Sequence, residues 1–110
     1  IRMHIDCSKL TVTKDQFVSA FGAEGFGCGA SYRAMPSEAK WFTEHITYGQ
    51  SGYPWTAPEY KGDRKGYFPC PNCVESVETH FTIYFNENYG EQEASDMAQA
   101  LDKVENAYLR

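Results

Sequence analysis

Apolar and polar residues alternate from the first position. Ile1, Met3, Ile5 and Cys7 are separated by Arg2, His4 and Asp6, the two-residue period of a strand buried on one side. The chain thus begins inside a strand, which reads as a piece cut from a longer protein. The period then changes. Thr13 and Gln16 have the spacing of a capping box, and Phe17, Val18, Ala20 and Phe21 form an apolar stripe, predicting a helix over about residues 14–24 that Gly25 stops. From Phe26 to Arg33 alternation returns, with Phe26, Cys28 and Ala30 on one face. Gly27 and Gly29 leave the other face almost bare, open to close approach by a neighbour.

Residues 34–69 lose periodicity and gain Pro36, Pro54, Pro58 and Pro69 among many aromatics, a long excursion with a short helix around Pro36 to Glu44. Loops of this length in compact domains are usually binding or lid segments, or else disordered, and the aromatic content argues against full disorder. Trp41 and Phe42 are expected to pack inward, while Tyr53, Trp55 and Tyr60 offer stacking surfaces or a cluster under the loop. Asn72 with Glu75 has the spacing of a helix cap and its partner, opening a helix to about His80. Phe81, Ile83 and Phe85 alternate as a third strand. Ala94, Met97, Ala98, Leu101, Val104 and Tyr108 mark a closing helix over about residues 91–108. The order β-α-β, loop, α-β-α predicts an α+β fold, a small sheet of about three strands covered by helices.

Length and composition narrow the function classes. A chain of 110 residues suits one domain with one core, here 1–110, and 42% hydrophobic residues are enough to build it. The formal net charge of -5, with Lys and Arg scattered, provides no basic stripe for a nucleic-acid backbone. No apolar run approaches the ~20 residues of a membrane span and no signal segment opens the chain, so a cytoplasmic location is expected.

The segments before and after the excursion, residues 1–33 and 66–110, resemble the small carboxy-terminal domain of the DegT/DnrJ/StrS family of pyridoxal-phosphate aminotransferases. The resemblance rests on the order and length of these elements: a Gly-rich strand leading to a loop, a Cys-Pro turn at Cys70-Pro71, a helix, a short strand and a closing helix that opens with acidic residues. It implies the α+β small domain of a fold-type I aminotransferase that aminates a keto-sugar nucleotide or related ketone. Such a domain contributes cleft wall and domain closure to a larger chain, usually a homodimer. The implied partners are an amino donor, a keto-sugar nucleotide and the chain's own large domain.

Some positions depart from the family pattern. Cys73 and Val74 replace its Ala and Glu, Tyr84 replaces a Pro, and Ser31 stands where many members carry a substrate-side His. The resemblance places the loop after the second strand at the cleft, so Ser31, Tyr32, Arg33 and Met35 are the candidate substrate contacts. Arg33 is the strongest physically, because a planar guanidinium grips a carboxylate or diphosphate in bidentate fashion; its ordinary alternative is a surface ion pair. A transaminase also needs a Schiff-base lysine, an acid for the pyridine nitrogen and a phosphate anchor, and in the resembling family these lie on the large domain. None of the six lysines has surroundings that would desolvate it, so pyridoxal phosphate belongs to the parent protein and the fragment alone is expected to be inactive.

The competing reading is a free-standing Cys-x-x-Cys module, redox or zinc-binding, built on Cys70 and Cys73. Cys7 and Cys28 share apolar faces and look like core rather than further ligands. A redox motif of this kind normally follows a first strand, whereas this one follows a long loop late in the chain. His4, His45 and His80 lie far apart on separate elements, and no metal set is expected from them.

Overall fold

The computed structural model describes residues 1–31, 35–64, 66 and 68–110. The chain divides into two compact units, one of residues 1–32 and 75–110, the other of residues 33–74. The described residues form a mixed α+β structure with one three-stranded antiparallel sheet and four α-helices.

In the first unit, β1 (Arg2–His4) and β2 (Cys28–Gly29) flank a central β3 (His80–Ile83). Arg2, Met3 and His4 stand opposite Thr82, Phe81 and His80, while Cys28 and Gly29 stand opposite Ile83 and Thr82. Backbone bonds lengthen both ladders: Ile5 N–H donates to Thr79 O, Ile83 N–H to Ile1 O, and Tyr84 N–H to Gly27 O. The sheet is shorter than its alternation. Cys7 leaves β1 for a 3₁₀ turn, Cys7–Lys9, capped by the Asp6 carboxylate, and Ile1 is 56% exposed. Of the six described residues in the alternating run from Phe26, β2 keeps two, Tyr32 and Arg33 lying outside the described residues. Phe85 is 61% exposed. The strand ends before it because Asn86 starts a turn, its side chain accepting from Asn88 N–H and its carbonyl from Tyr89 N–H.

Helix α1 (Lys14–Ala23) has the expected reciprocal cap between Thr13 and Gln16. It ends where Gly25 turns left-handed at φ 104°. Phe17, Val18 and Phe21 are buried against Phe81, Ile83, Ile5 and Leu10. The Phe21 ring stacks on Phe26 at 5.3 Å and meets Phe81 edge-on at 6.3 Å. Helix α4 (Glu91–Tyr108) matches its expected bounds, but its buried stripe is Met97, Ala100 and Val104, with Leu101 and Tyr108 half-buried. Ala94 and Ala98, expected inside, are exposed. Leu10 pairs with Leu109 and Arg110 N–H donates to Lys9 O, tying the helix's end to the segment after β1.

The aromatic-rich excursion is the second unit. It contains a 3₁₀ turn at Pro36–Glu38 and helix α2 (Lys40–Thr43), so the expected short helix splits in two. Phe42 meets Trp41, Trp55 and Phe68 edge-on, and His45 stacks on Trp55 at 4.7 Å. Trp41 itself is 53% exposed, against expectation, while Phe42 is half-buried. The Arg64 guanidinium donates to the carbonyls of Trp55, Ala57 and Tyr60, supplying donors to a loop without regular ladders. Helix α3 (Pro71–Thr79) begins one residue ahead of the expected Asn72 cap. Cys70 O accepts from both Cys73 N–H and Val74 N–H, which makes Cys70 the cap residue and puts Pro71 at the first helical position, where its missing N–H costs nothing.

Candidate functional site

The two faces of the sheet have different chemistry. Phe81 and Ile83 are buried and Met3 and Cys28 pack against them, whereas Arg2, His4 and Tyr84 on the other face are exposed and His80 and Thr82 half-buried. Tyr84 lies along the glycine strand. A Cβ at Gly29 would stand 2.8 Å from its Oη, and one at Gly27 3.2 Å from its ring. The neighbour that the bare strand face admits is therefore a tyrosine of β3's continuation.

Two residues beyond Gly29, the exposed Ser31 shares a shallow depression with Arg2, Ser76, His80 and Thr82. Its volume is about 10 Å³, the scale of a single water. Of the other expected substrate contacts, Met35 is half-buried in the second unit, just ahead of the Pro36–Glu38 turn. Tyr32 and Arg33 lie outside the described residues. Ser31 and Met35 thus fall in different units.

Sequence reasoning missed the pairing of His4 with His80. Their strands place them opposite each other, with ring centroids 5.0 Å apart and nearly perpendicular. His80 Nδ1 is within 2.9 Å of Ser76 O and 3.2 Å of Thr79 Oγ1, which fixes the ring. The available signal was the shared parity of the two histidines with Arg2 and Thr82, readable only once β1 is known to pair with β3. Among the described residues no three His, Cys, Asp or Glu side chains gather as a metal set.

On the helix side, a groove of about 340 Å³ runs past Met3, Ile5, Leu10, Phe17 and Leu101. Asp6, Lys9 and Glu105 stand at its margin, and the first two are engaged with each other and with Ser8. Asp6 accepts from the Ser8 hydroxyl at 2.6 Å and the Ser8 N–H at 3.0 Å, and lies 3.8 Å from Lys9. The Ser8 hydroxyl, then the Ser8 N–H, hold the Asp6 carboxyl below its usual range.

The described lysines have structural partners. Lys14 donates to Val77 O and His80 O at the end of α3, Lys61 to Pro58 O, and Lys103 to both oxygens of Glu24. Lys9 and Lys40 pair with neighbouring carboxylates. Lys65 lies outside the described residues. All four cysteines are free thiols. Cys7 and Cys28 are half-buried against the core, and burial pushes the Cys28 thiol up. Cys70 and Cys73 are exposed. No helix of the described residues is long and apolar enough to cross a membrane.

Comparison of the chain with protein-family models, with curated proteins and with solved structures finds no match to any of them.

Proposed function

We propose that this chain is the small carboxy-terminal domain of a cytoplasmic pyridoxal-phosphate aminotransferase of the DegT/DnrJ/StrS kind, acting on a keto-sugar nucleotide or related ketone. Its role is to form one wall of the substrate cleft and to close against a large domain. The observation that carries this reading is the glycine strand. Gly27 and Gly29 run along the sheet face that holds no buried residue among those described, and they lead directly to Ser31 and the excursion. That is the element order of the resembling domain, with the loop after the second strand aimed at substrate.

The residues present do not by themselves fit the cofactor. The described lysines donate to backbone carbonyls or pair with carboxylates, so on this reading the Schiff-base lysine, the acid for the pyridine nitrogen and the phosphate anchor belong to the large domain. Bound there, pyridoxal phosphate supplies the electron sink for amino transfer. This chain's share is positioning: Ser31 offers a hydroxyl, Arg33 a bidentate cation, and Tyr32 and Met35 contact surface. In the parent, a homodimer is the expected assembly.

The test is to read the coding sequence contiguous with these residues and to assay its product. The reading expects a lysine-bearing large domain in the same chain, the absorbance of bound pyridoxal phosphate, and amine transfer from an amino acid to a keto-sugar nucleotide. A contiguous sequence without such a domain, or a full product that binds no pyridoxal phosphate, overturns it.

A further inference from the structure

The first turn of α3 carries two thiols. Cys70 caps the helix, and Cys73, three residues on, donates its N–H to Cys70 O at 2.9 Å, a bond shared with Val74 N–H at 3.0 Å. A turn closed by such an i to i+3 bond holds its end Cα atoms within about 7 Å. Disulfides span Cα separations of roughly 4.4–6.8 Å, so the bridge requires side-chain rotation and little movement of the backbone. Both thiols are exposed. Among the described residues Cys70 Sγ makes one long contact, 3.6 Å, to Phe68 O.

We propose that Cys70 and Cys73 form a thiol–disulfide exchange site whose co-substrate is a small-molecule disulfide. One thiolate attacks a sulfur of that disulfide, forming a mixed disulfide and releasing one thiolate. The second cysteine's thiolate then displaces the remaining half. The two cysteines are oxidised to a disulfide and the small disulfide is reduced to two thiols, which take up the two protons that Cys70 and Cys73 lose. A metal is the poorer occupant. A structural zinc site takes four ligands, and among the described residues no third His, Cys, Asp or Glu joins the pair. Cys7 and Cys28 are no rivals for the disulfide, being packed against the core, with Cys28 donating to Val18 O. The exchange chemistry stands apart from the aminotransferase reading, and either can fail without the other.

The experiment equilibrates the reduced protein with glutathione buffers of rising disulfide fraction, quenches with an alkylating agent and reads the intact mass and a peptide map. The expected result is loss of two alkylation sites together, mapped to one peptide containing Cys70 linked to Cys73, with the free thiol reversibly restored by a reductant. C70S and C73S are each expected to stop at a stable glutathione adduct on the remaining cysteine, because the displacing thiol is gone. Independent alkylation of both cysteines at every buffer ratio, a bridge mapped to Cys7 or Cys28, or intermolecular dimers as the sole oxidised product would overturn the proposal. So would one equivalent of zinc retained through purification and lost from C70S.

Discussion

Phe21 and Phe85 are both phenylalanines in apolar runs, yet the structure gives them opposite energetic weight. Phe21 is 0% exposed, stacked on Phe26 and edge-on to Phe81. Burial of such a ring contributes about 1.5–3 kcal/mol. Each aromatic pair adds about 0.5–1.5 kcal/mol, which brings the expected loss in Phe21→Ala to the ~3–5 kcal/mol typical of buried Phe→Ala changes. With roughly 4–8 °C lost per kcal/mol in a domain of this size class, the melting temperature should fall by at least ~12 °C. Phe85 is exposed and touches Tyr89 edge-on at 5.6 Å, so Phe85→Ala should cost under about 1.5 kcal/mol. Thermal melts followed by far-UV circular dichroism, with urea titration as a second measure, compare the two directly. Phe21→Leu serves if the alanine variant is too unstable to purify. Equal losses at the two positions, or a Phe21→Ala melt within ~4 °C of the parent, would refute the placement of α1 on the sheet.

Gly25→Ala isolates backbone strain, since a Cβ there meets nothing within 4 Å while φ is 104°; about 1–2 kcal/mol should be lost in urea titration, with no change in near-UV spectrum. Thr13→Ala removes the reciprocal cap of α1 and should lower stability by about 0.5–2 kcal/mol, whereas Thr13→Ser should restore most of it. Acid should destabilise through Asp6 and Glu93, whose carboxyls are held below their ordinary values of 3.8 and 4.5, the first by the Ser8 hydroxyl and the second by the Gly90 N–H. A lowered folded value means stabilisation that is present above the unfolded value and lost as pH falls through the folded one. The melting temperature should therefore drop below about pH 4.5, less steeply in D6N and E93Q, and identical pH profiles in all three proteins would exclude this source.

Local signals were legible and long-range ones were not. The α1 cap and the α4 bounds follow from residues a few positions apart, and both match the structure. Within α4 the alanines carry little information about phase, being single methyl groups: Ala94 and Ala98 fit the three-and-four spacing yet are exposed, while Ala100 is buried. Strand lengths failed for another reason. Alternation continues through Phe85, but the side chain of Asn86 captures a backbone N–H and ends the ladder. The pairing of His4 with His80 depends on a strand contact 76 positions away in sequence, to which neither local pattern points. Of the candidate substrate contacts, Ser31 lies two residues past the end of β2 rather than inside the longer alternating run, while Met35 belongs to the other unit.

The start of α3 shows how two local rules compete and why the outcome matters chemically. Asn72 followed by Glu75 satisfies a capping spacing, and Asn is a good cap. Pro71 satisfies a stronger condition, because its fixed φ and absent N–H suit the first helical position and nothing later. Had Asn72 capped the helix, Cys70 would lie two residues outside it and Cys73 would occupy the first helical position, with no helical turn joining them. With Pro71 first, Cys70 O receives the opening helical bonds, and the two thiols bracket one turn. Proline thus sets the spacing on which exchange at Cys70 and Cys73 depends. Replacing Pro71 by Gly, which removes the constraint on φ and restores an N–H, should weaken the preference for an intramolecular bridge over mixed disulfides.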